Sequence, residues 1–336
     1  MNKLTKLGVS ALCGSLAAMS AANAGDLSVT GGVDMTWITL DNETTGNPIG
    51  MGSNLTFAGS GELDNGWNVA LSVAMTNADA YSNTNVTVTI PSLGDIRIDQ
   101  GTSGTGIDRI DDIIPTVWEE AHGWGLNSGI KTVAGGSSGS TIEYTPNMLP
   151  SGLTARVAWS PDPGASAADK ARAVSDTEEA GAWDFTLQAT SDLTGVDGLT
   201  VSAGIAEITQ YTDVAATTGD EEETTWAITY ATGGFTVGYQ WSETDLGTSS
   251  GAQEYENEGY GITFNVNDDL SIGYNHYESK QTNDTSITAE ATSVQIAYSV
   301  GGASVRLADG TVDNAAYQST AAYDLEGTVL SVSLAF

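Results

Sequence analysis

The sequence predicts an all-β protein, a transmembrane antiparallel β-barrel of about 16 strands with a long third loop folded into the lumen. Three observations predict this fold. Apolar and polar residues alternate along many short segments, short and long connections alternate between those segments, and aromatic residues recur at the segment ends. A sheet with one lipid-facing side and one wet side accounts for all three patterns.

Residues 1–24 are predicted to be a secretory signal peptide, and residues 25–336 are predicted to form the barrel. Lys3 and Lys6 precede a short apolar stretch, and Ala22–Ala24 supplies the small-residue cleavage pattern. Cys13 is the only cysteine and lies within this segment, so the expected mature chain has neither a disulfide nor a thiol site. No later apolar run is long enough for a membrane-spanning helix.

The charge is strongly negative, because 43 acidic residues stand against 10 basic ones. Nucleic acid is therefore excluded as a partner, since binding phosphates requires a basic surface. Solubility in a saline medium and attraction of cations both explain such a charge, and both stay open. The 8 Trp, 12 Tyr and 5 Phe argue against a disordered chain.

Alternation with period two is clearest in three segments, 235–241, 270–275 and 330–336. In each of them large apolar side chains alternate with Ser, Thr, Gly, Asn, Gln or Ala. Successive residues of a strand point to opposite faces of the sheet, so each segment has one apolar face. A soluble lectin-like β-sandwich shares this pattern, so alternation alone leaves both folds open.

The lengths of the connections favour the barrel over the sandwich. Short turns are predicted at 64–66, 94–95, 148–152, 192–198, 232–234, 267–269 and 301–302. Long polar segments are predicted at 41–52, 77–83, 101–139, 161–180, 210–222, 244–254, 279–287 and 310–319. Short turns at one end and long loops at the other are typical of transmembrane barrels. A hairpin hidden in one of the loops would raise the strand count to 18.

Aromatic residues form two predicted girdles. Those at the outer strand ends are Trp159, Trp183, Trp226 and Trp241. Those at the inner ends are Trp67, Tyr144, Tyr230, Phe235, Phe264, Tyr298 and Phe336. All lie in the apolar phase of their strands, as expected at the two interfaces of a lipid-facing wall. A sandwich with aromatic core residues is the alternative.

The segment 101–139 is the longest stretch without a strand pattern, and loops of this length are usually functional or disordered. Five apolar residues at helix-like spacing predict a short amphipathic turn packed against the inner wall, namely Ile107, Ile110, Ile113, Ile114 and Val117. Three arginines stand between apolar, outward-facing neighbours and are expected to point into the lumen, namely Arg97, Arg156 and Arg306. On the lipid face each charge would cost about 2–4 kcal/mol at the midplane.

The whole expected mature chain resembles the Gram-negative general porins, 16-stranded trimers of the outer membrane. The resemblance is carried by the length of the third loop, by the strand 141–146, and by an ending with Leu330, Val332, Leu334 and Phe336. That ending is similar to the signal recognised by the barrel-assembly machinery. The resemblance implies an outer-membrane location, a homotrimer, and outer-membrane lipid and small hydrophilic solutes and ions as partners.

The resemblance also implies a constriction, because the third loop of these porins narrows the pore. Its candidate acidic residues are Asp108, Asp111, Asp112, Glu119 and Glu120, with Arg97, Arg156 and Arg306 as the opposing basic wall. Each carboxylate could instead cap the turn or face bulk water. Glu143 departs from the pattern, since it takes an inward position where the family often has a base. The expected pore is therefore acidic and cation-preferring.

The predicted function is passive diffusion of small hydrophilic solutes and ions through a water-filled channel. The alternative is a non-conducting structural or adhesive barrel, which would need bulky inward residues. No enzyme is expected, because His122 and His276 stand alone and imply neither a metal triad nor a Ser/His pair. No cofactor is expected either, although Ca²⁺ at acidic loops such as 220–223 is left open.

Overall fold

The barrel predicted from the sequence is confirmed. The computed structural model describes residues 27–41, 46–77, 79–100, 104–163, 179–210, 216–282 and 286–336, so the predicted signal peptide lies outside the described residues. Within these ranges, sixteen antiparallel strands form one closed barrel, in which each strand pairs with its neighbours in the chain and the first pairs with the last. Closure leaves no strand edge unpaired, as a sheet in lipid requires.

The strands are β1 (Leu27–Leu40), β2 (Ile49–Glu62), β3 (Asn68–Thr76), β4 (Asp79–Ile90), β5 (Gly94–Gln100), β6 (Ser140–Pro146), β7 (Leu153–Ser160), β8 (Glu179–Ala189), β9 (Leu199–Gln210), β10 (Glu221–Thr232), β11 (Phe235–Asp245), β12 (Glu254–Asn265), β13 (Leu270–Thr282), β14 (Ile287–Val300), β15 (Ala303–Asp313) and β16 (Leu325–Ala335). One helical turn, α1 (Ser191–Thr194), connects β8 to β9. Short 3₁₀ turns span Gly106–Ile110, Gly135–Ser138, Ala315–Tyr317 and Ala321–Tyr323. No helix among the described residues has the length and apolar character needed to cross a membrane.

The pairing register puts the large apolar residues on the outer surface. Between β10 and β11, Trp226 lies opposite Trp241 and Ile228 lies opposite Tyr239. Trp226 is 41% exposed, whereas its neighbour Ala227 is 1% exposed and faces the lumen side. Because successive side chains of a strand point to opposite faces, this register fixes the orientation of all the remaining residues in the two strands.

Several predicted connections are shorter than the sequence suggested. The segment 77–83 is not a long loop, because β4 begins at Asp79, and the segment 279–287 narrows because β13 continues to Thr282. The turn between β4 and β5 occupies 91–93, so Gly94 begins a strand, and β15 likewise continues to Asp313. Where both faces of a strand are wet, its residues are polar throughout, and the apolar alternation that marks a strand in sequence disappears.

The hydrophobic core lies inside the barrel, between the long loop that follows β5 and the wall. One cluster joins Ile107, Ile110 and Val133 of the loop to Ala206 of β9. A larger cluster joins loop residues, among them Trp124 and Leu126, to inward-facing residues of β13–β16. The loop therefore covers one side of the inner wall, and the free space lies toward β2–β4.

Candidate functional site

The described part of the long loop, 104–139, runs along the inner wall from β8 to β14 and then returns toward β8. We call these two parts the outgoing and the returning leg. The outgoing leg meets β9 at Gly204, where an added Cβ would lie 2.7 Å from Ile110 Cδ1. Farther along, a Cβ at Gly238 of β11 would lie 2.5 Å from Pro115. Glycines at these inward positions leave room for side chains of the loop to lie directly against the sheet.

Two glutamines of the wall bind the backbone of the outgoing leg. Gln240 of β11 accepts a hydrogen bond from Ile113 N (2.9 Å) and donates one to Ile110 O (2.7 Å). Gln295 of β14 accepts from Trp118 N (2.9 Å) and donates to the carbonyl of the following residue. Both glutamines are 1% exposed, so the wall offers the loop backbone hydrogen-bond partners that are themselves shielded from water.

Three buried carboxylates bind the two ends of the loop. Glu143 of β6 accepts a hydrogen bond from Gly106 N at 2.8 Å, and Glu223 of β10 accepts one from Gly135 N at 2.6 Å. Asp184 of β8 accepts from both legs, through Ile107 N and Gly136 N. Sequence reasoning missed this role, although Asp184 stands between outward-facing Trp183 and Phe185 and therefore had to point inward.

The structure brings three of the predicted acidic residues together on the outgoing leg. Asp108, Asp111 and Asp112 line a cavity of about 380 Å³ with Gly104 and Arg109. Burial, together with the charges of Asp112 and Asp108, raises the pKa of Asp111 to about 8. Burial also raises the pKa of Asp108. Part of this acidic group is therefore uncharged near neutral pH.

The two predicted glutamates at the loop tip have different environments. Glu119 is exposed, and the pKa of its carboxyl is raised, chiefly by burial of part of the group. Glu120 departs from the prediction, because it is only 7% exposed and turns away from the open lumen. Its Oε2 lies 3.4 Å from His122 Nδ1. Burial raises the pKa of Glu120 well above its usual value and lowers that of His122 to about 4, which favours an uncharged pair.

The predicted arginines do not form one basic wall. The guanidinium of Arg97 on β5 lies 2.5 Å from Asp99, and that of Arg306 on β15 lies 2.8 Å from Asp34. Arg306 also lies over the ring of Trp118, 4.9 Å from its centroid. These two arginines therefore stand on different sides of the barrel, and each is neutralised by a carboxylate of the wall.

A fourth arginine, which sequence reasoning missed, comes from the loop itself. The guanidinium of Arg109 lies 2.6 Å from Glu143, the inward carboxylate that departs from the family pattern. Arg156 of β7 is the third predicted wall arginine, and it interacts electrostatically with both of them. At this point the charges are the reverse of the expected acidic loop and basic wall, since the loop supplies the arginine and the wall supplies the carboxylate.

The wall that faces the acidic leg is uncharged over most of its height. Residues 7–96 contain neither Lys nor Arg, so β1–β4 carry no basic side chain. The register turns hydroxyl and amide side chains inward on β2–β4, including Asn54, Thr56, Ser72, Asn85 and Thr87. The open lumen is therefore bounded by carboxylates on one side and by neutral polar groups on the other.

No metal centre emerges from the part of the chain that the structure describes. In these ranges no three His, Cys, Asp or Glu side chains converge as metal ligands. In the acidic segment considered for Ca²⁺, Asp220 accepts a hydrogen bond from Gln210 N, and Glu223 is committed to the loop backbone. The geometry thus gives no reason to propose a calcium site there.

Comparisons with known proteins place the chain in a structural class. The family model described as Gram-negative porin matches residues 8–303. The fold is similar to that of Salmonella typhi OmpF in complex with daunomycin, with a TM-score of 0.68 and 12% identity over 93% of this chain and 98% of that chain. An anion-selective porin from Comamonas acidovorans gives a TM-score of 0.65 and 13% identity over 93% and 100%. Vibrio cholerae OmpT gives a TM-score of 0.65 and 13% identity over 95% of this chain and 100% of that chain. No curated protein sequence gave a significant match.

The glutamine contacts predict a specific effect on the loop. Gln240→Ala removes the wall partner of the Ile113 N–H and of the buried carbonyl of Ile110, at a cost of about 1–3 kcal/mol. We expect faster amide hydrogen exchange across 110–114, measured by mass spectrometry on the refolded barrel. Gln188→Ala is the matched control, because the Gln188 amide donates to Ser202 of the neighbouring strand instead. Equal rates of amide exchange across 110–114 in the two variants would contradict the assignment of Gln240 as an anchor of the loop.

Proposed function

The chain belongs to the Gram-negative porin family and is an outer-membrane channel for small solutes, and we propose that this channel prefers cations over anions. The observation that carries the proposal is the unequal charge of the lumen. Carboxylates of the long loop face a wall, β2–β4, that has no base, and three of the arginines, Arg97, Arg109 and Arg306, are paired with carboxylates. The fold alone does not decide the preference.

The proposed mechanism is sieving by size combined with electrostatic attraction. The loop covers the β8–β16 side of the lumen and leaves a water-filled path along β2–β4. A cation that follows this path passes Asp112 and Glu119, the two exposed carboxylates of the acidic group. Their potential raises the local concentration of cations and opposes the entry of anions, while hydroxyl and amide groups opposite replace part of the hydration shell.

A non-conducting barrel is not favoured by the lining of this chain. A plug would require bulky side chains across the lumen, and the wall opposite the loop carries Asn, Thr and Ser instead. Chemical turnover is not part of the proposal, since nothing in the mechanism forms or breaks a covalent bond. We likewise propose no cofactor.

We further propose that three copies associate through the outer surface of β2–β5. Lipid-facing strands carry interfacial aromatics, such as Trp183 on β8 and Trp226 on β10. On the described outward positions of strands β2–β5, Phe57 is the single aromatic residue, and exposed aliphatic residues such as Met51 and Leu71 take several of the other places. An apolar surface without an aromatic girdle suits a protein neighbour better than a lipid interface.

The end of the chain supports its proposed recognition by the barrel-assembly machinery. Leu330, Leu334 and Phe336 are 41%, 44% and 57% exposed on the outer surface. Phe336 also exchanges two backbone hydrogen bonds with Gly31, at 2.9 Å each, so the terminal residue helps close the barrel. A strand with an exposed apolar face at the point of barrel closure is suited to being held by another protein before the barrel closes.

The trimer proposal predicts a mass of three chains in mild detergent, measured by sedimentation equilibrium. Met51→Arg together with Leu71→Arg places two charges on the proposed contact and should shift the mass toward one chain. Ile228→Arg is the control, because Ile228 is exposed on the outer surface of β10, on the far side of the barrel from β2. A wild-type protein with the mass of one chain would contradict the proposal.

Removing the loop charges is expected to weaken cation preference. In water-like surroundings one charge attracts an ion in contact with it by about 1 kcal/mol, so each of Asp112→Asn and Glu119→Gln should lower the cation-to-anion permeability ratio by about fivefold. Reversal potentials of planar bilayers in a salt gradient measure this ratio. The control is Glu290→Gln, an exposed carboxylate on the outer surface of β14. Anion preference in the wild type would overturn the proposal.

The raised pKa of Asp111 predicts a pH dependence in the alkaline range. Because its pKa is about 8, Asp111 is largely protonated below that pH and becomes negative above it. Cation preference should therefore increase between about pH 6.5 and about pH 9.5, where ordinary carboxylates no longer titrate. In Asp111→Asn the increase should shrink. An unchanged pH profile in this variant would remove Asp111 from the ion path.

A further inference from the structure

The connection between β15 and β16 is strained. Three non-glycine residues there have positive φ, Asn314 at 54°, Ala316 at 52° and Tyr317 at 57°. Asn tolerates this region because its short side chain bonds locally, whereas an aromatic residue there is an outlier. A conformation of this kind persists only where surrounding contacts hold it.

Those contacts lie on the returning leg of the constriction loop. The hydroxyl of Tyr317 accepts a hydrogen bond from Lys131 N at 3.1 Å and lies 2.8 Å from Ser279 Oγ of β13. Ala316 N donates to Ser128 O at 2.7 Å. Tyr317 is only 4% exposed, so its side chain points into the barrel even though it belongs to an external connection.

The returning leg is held from both sides at this point. An added Cβ at Gly129 would lie 2.9 Å from Ala316 Cα, which shows how closely the two backbones approach. From the wall, Asn257 of β12 donates to Lys131 O at 3.0 Å. Ala315 joins the buried cluster that contains Trp124 and Leu126 of the loop tip. Residues 128–131 therefore lie between the barrel wall and the segment 314–317.

We propose that Tyr317 is a positioning residue for the constriction, and that the segment 314–317, here named the strap, fixes the returning leg of the loop. This inference rests on the proposed channel function. The residues that follow the strap, 318–324, are all exposed. The strap consequently connects an exposed external segment to the returning leg of the loop.

Tyr317→Phe tests the strap while keeping the ring. It removes the hydroxyl that bonds to Lys131 and Ser279, and we expect roughly a fivefold shift in the ratio of held to released loop, as for the loss of one hydrogen bond. Single-channel recordings should show added current fluctuation and greater permeability to large sugars. The reversal potential should not change, because Asp112 and Glu119 lie on the outgoing leg, which Gln240 and Gln295 still hold. Tyr255→Phe is the control, since the Tyr255 ring lies tilted beside that of Tyr317, 5.2 Å between centroids, but its hydroxyl bonds to Gln281.

The outcomes separate this inference from the proposed function. If the wild type forms no channels, the proposed function fails. If the wild type conducts and Tyr317→Phe is as quiet as Tyr255→Phe, only the strap is overturned. A reversal potential that moves with Tyr317→Phe would also contradict a positioning role.

A reversible cross-link covers the case in which Tyr317→Phe does not fold. The expected mature chain has no cysteine, so Ser128→Cys with Ala316→Cys creates a single pair at the backbone contact. We expect the oxidised channel to be quieter than the same channel after reduction. Equal noise in the two states would overturn the proposal, and failure of the cysteines to join in the folded barrel would contradict the contact itself.

Discussion

The structure depends on one constraint, which is that every backbone N–H and C=O within the membrane must find a partner inside the protein. The sheet meets it by closing β1 onto β16, down to the bonds between Gly31 and Phe336. Once the sheet is closed, outward positions are left to lipid and inward positions to water. The alternation visible in the sequence is a direct consequence of that division.

The same constraint applies to the long loop, but the sheet cannot satisfy it there. The loop lies against strands whose own backbone is already paired, so the partners that these strands offer it are side chains. Glutamines and carboxylates of five strands take this role, and three of them are buried acids, Glu143, Asp184 and Glu223. Because these carboxylates accept hydrogen bonds from backbone N–H groups, each of them can be buried without a basic side chain beside it. Much of the acidic excess inside the barrel thus serves to hold the loop.

The sequence was sufficient to predict the barrel, the strand number, the long loop and the inward direction of the arginines, because each of these follows from period two and from chain order. The sequence was not sufficient to predict which acidic residue pairs with which basic residue. Arg109 and Glu143 are 34 residues apart, and Arg306 and Asp34 are 272 apart. Which acid neutralises which base depends on strand register and loop path, and neither leaves a local pattern. Glu120 was misplaced for the same reason, since its burial depends on how the loop tip packs against β13.

Ion pairing of the arginines further reduces the effect of the few basic residues on the electrostatic potential of the lumen. A guanidinium beside a carboxylate contributes a dipole whose field falls off faster than that of a charge, so Arg97, Arg109 and Arg306 do not offset the acids at a distance. We expect the long-range potential to be set by the carboxylates without such a partner, chiefly those on the outgoing leg. Because β1–β4 contribute no base at all, no basic group on that wall offsets them. The proposed preference for cations therefore depends as much on where bases are missing as on where acids are placed.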